Sequence, residues 1–370
     1  MLSQVWTPQR KDKPISPALS LSRVTDLWEL EQRWRALEKK SAPSFFQSWS
    51  WVGCLAPERF SNPRLLAAKI DGCDVALALF NQGHSRLSPV TLWLGESGIP
   101  ALDAVYIEHN GVLAADGYGG LLAECLAKAL RHASRLVLSG VDDTQLQAAR
   151  AAGGVTRLIK SQPAPFIDLA RLAPGGYLAS LSANTRYQLR RAAKRTAERG
   201  KLVLHRAHSL SDAMAVLDDL ARLHQATWIA RAKPGAFANP AFRRFHETLI
   251  ASALPRGEID LLRITAGGTM IGCLYNFRHR GHVLAYQSGF DHQTADTHEK
   301  PGLLCHHLAI EAAQADGMTR YDFLAGDDRY KTSLASDATT LHWLDLTPRW
   351  SLRGIPTRLG ILSQAARRTN

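Results

Sequence analysis

Leu65 to Phe80 reads LLAAKIDGCDVALALF, and Leu261 to Asn276 reads LLRITAGGTMIGCLYN. Set side by side, Leu-Leu meets Leu-Leu, Gly72 meets Gly268, Val75 meets Ile271, and Ala76 meets Gly272. Each stretch holds two apolar runs of strand length around a glycine-containing turn, which predicts a hairpin in each. The echo continues outward. Downstream, GGLLAECLAKAL (Gly119 to Leu130) matches PGLLCHHLAIEA (Pro301 to Ala312), with apolar residues at helical spacing in both. VLSGVDD (Val137 to Asp143) then resembles FLAGDD (Phe323 to Asp328), each a strand ending in a glycine loop. Upstream, LSLSRVTD (Leu19 to Asp26) precedes a helical stretch with Trp28, Leu30 and Trp34. LVLHRAHSLSD (Leu202 to Asp212) precedes another, with Leu217, Leu220 and Leu223. Both halves therefore read strand, helices, hairpin, third strand, helix, strand. A repeat of this length predicts an α/β fold built by internal duplication.

The rest of the chain agrees with two domains. It has 370 residues, 45% apolar and 21% charged, which suits a globular protein with a sizeable core. No run reaches the roughly 18 apolar residues of a membrane span. Arg10, Lys11 and Lys13 have no apolar run behind them, so no signal peptide is expected and residues 1–20 read as a mobile polar lead-in. Cys54, Cys73, Cys125, Cys273 and Cys305 are scattered, without metal-finger or CxxC spacing. They predict reduced thiols and a cytoplasmic setting. Residues 21–172 are the expected first domain and 201–350 the second. Residues 173–200 form a basic connecting helix between them, and 351–370 a tail.

The formal net charge of +12 points to an anionic partner. Half of it sits between Ala183 and Lys201, where Arg186, Arg190, Arg191, Lys194, Arg195, Arg199 and Lys201 face one acid, Glu198. Chemistry is expected where the halves differ. In the second half the strand HVLAYQSGFD (His282 to Asp291) leads into the polar loop HQTADTHEK, then Pro301-Gly302 and a helix. A helix opened by proline, with His298 and Lys300 beside it, is a candidate phosphate site. Neither GxxxxGK[ST] nor GxGxxG is present, which argues against nucleoside-triphosphate and nicotinamide chemistry. Tyr321 to Lys331, YDFLAGDDRYK, is the second distinctive stretch. Asp322 lies in an apolar strand and is either paired or raised in pKa for work as a base. Tyr330 and Lys331 are placed to reach the same strand end. His224 and Trp228, four apart, share a helical face as a platform. His292, His298, His306 and His307 lack metal-site spacing, so no metal is expected. Ser288 lacks a nucleophile elbow, and Trp49 and Trp51 in FFQSWSW read as packing residues.

FFQSWSW, LSANTRYQLRRAAKR, LHQATW, AYQSGFD, the Pro301-Gly302 helix start and DFLAGDDRYK together resemble the GNAT acyltransferase superfamily. Within it the chain is similar to tandem-GNAT proteins known as cellulose-biosynthesis-associated acetyltransferases, which are related to Fem-type peptidyltransferases. The resemblance implies two GNAT-like domains, each a mixed sheet flanked by helices. It implies that the third and fourth strands of the core splay, with acyl-CoA, acetyl-CoA above all, lying in the gap as co-substrate. Tyr286, Gln287, Ser288, Gly289, His298, Lys300, Pro301, Gly302 and Lys331 would then hold the donor. Asp322 would serve as base and Tyr330 as proton donor to the leaving thiolate. Arg186, His224 and Trp228 would bind the acceptor, an amine or hydroxyl of a sugar, polysaccharide precursor or envelope building block. The Q/R-x-x-G-x-G/A pyrophosphate signature is missing from the loop. Fem-type relatives share the fold and use aminoacyl-tRNA, and the Tyr330-Lys331 pair resembles their aromatic-lysine pair. Aminoacyl transfer from tRNA is the alternative, and a non-catalytic binding protein of the same fold a third reading.

Overall fold

The computed structural model describes residues 17–83, 89–172, 175–296 and 298–349. Residues 1–16 of the expected lead-in and the expected tail, 351–370, lie outside these. The lead-in boundary shifts, because Ala18–Arg23 is already a strand, β1.

The first half continues with α1 (Leu27–Glu38), α2 (Trp49–Arg59), the hairpin β2 (Pro63–Ile70) and β3 (Cys73–Gln82), and β4 (Thr91–Leu94). A short β5 (Leu113–Ala114) pairs with β3. Then come α3 (Leu122–Leu130), β6 (Arg135–Val141), α4 (Asp143–Ala151) and β7 (Val155–Asp168). A linker follows, made of α5 (Gly176–Ser180) and α6 (Ala183–Ala197). The second half repeats the series: β8 (Leu202–Arg206), α7 (Leu210–Ala230), α8 (Pro240–Ala253), β9 (Ile259–Ala266), β10 (Thr269–His279), β11 (His282–Phe290), α9 (Pro301–Ala315), β12 (Arg320–Asp322), α10 (Arg329–Leu334) and β13 (Asp337–Thr347). Local signals set the ends. Asp26 accepts the amides of Trp28 and Glu29 at the start of α1, Ser182 accepts that of Thr185 at the start of α6, and Pro opens α8 and α9.

The α/β class and the repeated order are as the sequence predicts, but the two expected sheets are one. Strand order is β1-β2-β3-β4-β6-β13-β7-β12-β11-β10-β9-β8, with β5 beside β3. Read from either end, equivalent strands appear in the same sequence. The last strand of each half has crossed over: β13 lies against β6 of the first half, and β7 against β12 of the second. The two crossed strands pair antiparallel from Asp337↔Phe166 to Thr347↔Val155, which fuses the halves.

The packing is also shared. Trp51, from the first half, is fully buried and meets Phe46 at 4.7 Å and Phe245 of α8 at 5.0 Å between ring centroids. Phe45 stacks on Phe277 of β10 at 4.2 Å. Cys54, Cys125, Cys273 and Cys305 are buried, and Cys73 is exposed. Among the described residues no helix is long and apolar enough to cross a membrane.

Leu344 is 1% exposed and lies opposite Leu138 of β6 and Leu158 of β7. Leu344→Ala should cost about 2–5 kcal/mol. Because β13 belongs to both halves, urea unfolding followed by tryptophan fluorescence and by circular dichroism should shift together. A shift confined to one of two resolved transitions would contradict the fused sheet.

Candidate active site

The strand β11 decides where a ligand fits. It pairs with β10 along its whole length, from His282↔His279 to Phe290↔Gly272. Its parallel pairing with β12 covers only His282, Val283 and Leu284. The gap therefore opens beside Val283 to Phe290, where the resemblance puts it, between β11 and β12, the fourth and fifth strands of this half. The cause is local. After Asp322 the chain leaves the sheet through Leu324, at φ +59°, and the Asp322 carboxylate accepts the Leu324 amide at 2.8 Å. On the other side, register slips between Tyr275↔Gln287 and Asn276↔Ala285, so Tyr286 is an extra bulged residue. At Gly289 a Cβ would sit 2.6 Å from the Leu220 carbonyl oxygen and 3.0 Å from the His224 amide, so only glycine lets α7 lie this close to β11.

A cavity of about 1310 Å³ fills the gap. Tyr286, Gln287, Ser288 and Gly289 of β11 form one wall, and Lys300, Pro301 and Gly302 at the start of α9 its end. Tyr330 and Lys331 of α10 line it as well, as do His224 and Trp228 of α7. These eleven expected residues are thus brought together.

Three are not among the lining residues. Arg186 donates its Nη1 to the carbonyls of Ala179, at 3.2 Å, and Leu181, so its guanidinium closes the end of α5. His298 lies in the β11–α9 loop without lining the cavity. Asp322, 3% exposed, is the paired carboxylate, not the raised one. Its Oδ2 receives Arg320 Nη2 at 2.9 Å and lies 3.3 Å from His109 Nε2. Burial alone would raise it, but His109 and Arg320 hold it below the ordinary carboxylate range. Burial works against a charged His109, yet Asp322 lifts it above its ordinary value.

At the base of the cavity Lys331, 8% exposed, donates its Nζ to the carbonyl oxygens of Ala325 at 2.7 Å and Leu324 at 3.4 Å. Burial lowers its pKa, and Glu108 and Asp328 oppose that. Glu108, from the first half, is itself buried and lines the cavity. Its Oε2 accepts the Ala325 amide at 2.6 Å. Burial raises its carboxyl above the ordinary range, against the pull of that amide and of Lys331. Tyr330 stacks on His306 at 5.1 Å, and burial raises its hydroxyl pKa. His306 accepts or donates at Nδ1 to the Tyr321 hydroxyl, 3.1 Å away, and burial lowers it to about 3, so it is neutral. His224 is tethered at both nitrogens, with Nδ1 3.1 Å from the Ser288 carbonyl and Nε2 accepting the Ala236 amide at 3.3 Å. It holds α7 to β11 while its ring faces the cavity. Beside it, Arg231 and Lys233 lie 5.7 and 5.6 Å from the Trp228 ring centroid.

The basic segment is partly spent on the β11–α9 loop. Arg199 pairs with the buried Glu299, and Arg195 lies 3.8 Å from Asp296. Lys300, at φ +43° before α9, donates to Gln188 of α6 at 2.6 Å. Sequence reasoning missed Tyr106, Glu108, Lys160 and Trp343, which also line the cavity. The available signal was the connection 95–112, long for a compact domain, between β4 and β5. Among the described residues no group of three or more His, Cys, Asp or Glu could hold a metal ion.

Residues 183–332 match the family model of the acetyltransferase (GNAT) domain. The match runs from α6 to α10, so the gap, the loop and the Tyr330-Lys331 pair all lie inside the matched segment. No curated protein matches the chain significantly in sequence. Solved structures do match in shape. FemX superposes with a TM-score of 0.60 at 12% identity, over 88% of this chain and 96% of that one. L-PGS from Bacillus licheniformis gives 0.53 at 12%, over 89% and 96%. A conserved protein of unknown function from Bacteroides thetaiotaomicron gives 0.52 at 10%, over 89% and 100%. The matched segment is thus set in a fold that these structures share over most of the chain.

Asp322→Asn should destabilise the protein by about 3–5 kcal/mol by stranding Arg320 and His109. The pH dependence follows from the two shifts. Asp322 is lowered on folding, so its contribution holds above its unfolded value and fades as pH falls through the folded one. His109 is raised, so its contribution holds below its unfolded value of about 6.5 and fades as pH rises through the folded one. The stability gap between wild type and variant, measured by urea unfolding, should be widest in between. A gap that stays flat from pH 3 to 9 would refute this account.

Proposed function

We propose that the chain is an acyltransferase that moves an acyl group, acetyl in the simplest case, from acyl-CoA to an amine or hydroxyl. The acceptor is a small molecule or an envelope- or polysaccharide-related building block. One observation carries this reading: within the GNAT segment, the β11–β12 gap opens onto the N-terminus of a 15-residue helix preceded by Lys300. Free amides of a first helical turn, with a lysine beside them, suit a pyrophosphate even without the usual signature. Gly302 leaves room there, since a Cβ would approach the Phe290 ring to 3.1 Å. Arg231 and Lys233 add positive charge to the same cavity.

Acyl-CoA supplies an activated acyl carbonyl and a thiolate leaving group. The chain supplies position and proton handling. Beyond Leu284 the β11 backbone has no strand beside it on the gap side, so the amides it turns to that side, away from β10, are available to polarise the carbonyl oxygen. Glu108 is the better-placed base: one oxygen is fixed by the Ala325 amide, and burial has raised its affinity for a proton. It takes the proton from the attacking amine or hydroxyl as the new bond to the acyl carbon forms and the carbon–sulfur bond breaks. The raised Tyr330 hydroxyl keeps its proton at neutral pH and is the donor to the departing sulfur. Asp322 acts through other residues, as a positioning group for Leu324 and His109.

A second reading, aminoacyl transfer from tRNA, draws on a different surface. On α6, Tyr187 is 62% exposed, and the exposed Arg190, Arg191 and Lys194 make no ion pair among the described residues. Such a face suits sequence-independent phosphate contacts.

Calorimetric titration with acetyl-CoA should show saturable binding that changes little with salt and is lost in Lys331→Ala. Unchanged affinity and turnover in that variant would remove Lys331 from the donor site. Failure of acetyl-CoA to bind, with charged tRNA binding that weakens steeply as salt rises, would transfer the function to the second reading.

Turnover should fall as pH drops through the raised value of Glu108, because the base must be ionised. Glu108→Gln should lower kcat/KM about 10²–10⁴-fold and abolish that acid limb. An unchanged limb in the variant would assign the proton to another group.

A further inference from the structure

We propose that the acceptor is anionic and is anchored at the seam between the halves, on Lys160 and Trp343, with its nucleophile beside Glu108. This rests on the acyl-transfer reading above. Lys160 of β7 and Trp343 of β13 face each other in register on the two crossed strands. The Lys160 Nζ lies 3.9 Å from the Trp343 ring centroid and 3.0 Å from Gln162 Oε1. The ammonium is therefore held in place by an indole and an amide, and it makes no ion pair among the described residues. Arg329, at the start of α10, lines the same cavity and also makes none. These are cations held ready without a counterion, on a different wall from the donor residues of β11 and α9.

Continuous contacts connect this anchor to the base. Glu108 accepts the Ala325 amide, and the next amide, that of Gly326, donates to the Pro163 carbonyl at 2.9 Å. From Pro163 the strand β7 runs through Gln162 to Lys160. Three residues of strand span about 10 Å. By that span of strand the acceptor this wall fits is longer than one residue, with its amine or hydroxyl at one end and a carboxylate or phosphate at the other. A free α-amino acid is too short. A short peptide with a free carboxylate, or a phosphorylated amino sugar, has the required chemistry, and the indole offers its apolar edge to the intervening portion.

The test is calorimetric titration of the full chain with triglycine, its neutral-ended analogue triglycinamide, glucosamine 6-phosphate and glucosamine, alongside acetyl-CoA. At least one anionic compound should bind tenfold or more tightly than its uncharged-end partner, and which one does separates carboxylate from phosphate. Lys160→Met should erase that difference, and Trp343→Ala should weaken the anionic compound tenfold, while both keep wild-type acetyl-CoA binding as evidence of folding. Equal binding of charged and neutral partners, no binding of either anion, or an unchanged preference in Lys160→Met would overturn the proposal. Loss of acetyl-CoA binding in the wild type, with the Lys160-dependent preference intact, would instead defeat only the acyl-CoA donor.

Discussion

Everything in this molecule depends on the crossing of two strands at the centre of the sheet. A half that ended in its own strand would leave an edge, with unpaired backbone amides and carbonyls that must be covered or charged. Here the edge of each half is covered by the last strand of the other. The crossed strands β7 and β13 bond to each other over eleven residues of β13, so neither half is complete without the other. Function inherits this constraint. Tyr330 and Lys331 sit on the short helix that leads directly into β13. Their positions are fixed by where that strand docks, and the docking site is made partly by the first half. The cavity is consequently walled by both halves.

Charge is used differently inside and outside the cavity. Asp322, buried and outside the cavity lining, is firmly ionised and compensated by Arg320 and His109. Around it burial keeps His306 neutral and the Tyr330 hydroxyl protonated. Glu108 and Lys331 lie between these extremes, each pushed by burial toward its neutral form and pulled back by the other. Each is tied instead to the backbone between them, Glu108 to the Ala325 amide and Lys331 to the Leu324 and Ala325 carbonyls. The basic segment, by contrast, spends Arg186 on carbonyl groups and Arg199 on a buried glutamate. Its large formal charge thus divides into structural ties and an outward remainder.

The repeat was legible because it rests on local patterns. Glycine turns, strand-length apolar runs and the proline that opens α9 act over a few residues, and they produced the two hairpins and α9 as expected; FLAGDD did not, since β12 ends at Asp322, and β6 runs on through Gly140. Partner choice across the sheet was not legible, since nothing within β13 itself states that it pairs with β6. The same limit hides what opens the gap beside β11: β10 and β11 are joined by the tight Arg280-Gly281 turn and stay paired, whereas β12 leaves the sheet at a non-glycine residue with positive φ. Asp322 was ambiguous for a related reason. A buried carboxylate can be paired or perturbed, and its partner His109 lies more than two hundred positions away. Arg186 looked free because its acceptors are backbone carbonyls, which leave no mark on the side-chain sequence.

The asymmetry between the halves has a physical cause in the first half's own gap. Its strands β4 and β6 pair only over Thr91–Trp93, so they also part. There the opening is closed from within. Asn110 donates its side-chain amide to the Leu94 carbonyl at 2.9 Å and to the Ser139 carbonyl at 3.2 Å, stitching the two strands together. Ile107 packs beneath Gly95, and the half-buried Glu96 accepts the Ser139 hydroxyl, with burial raising its carboxyl to about 7. The segment that plugs this gap is the same one that carries Tyr106 and Glu108 toward the second cavity. Tyr106 stacks on Tyr286 at 4.4 Å and donates its hydroxyl to the Tyr286 carbonyl. One long connection therefore accounts for both differences between the halves. By filling the first gap it leaves one open cavity among the described residues' two gaps, and by reaching across the seam it adds the Glu108 carboxylate to the Asp296 and Asp328 that the second half supplies.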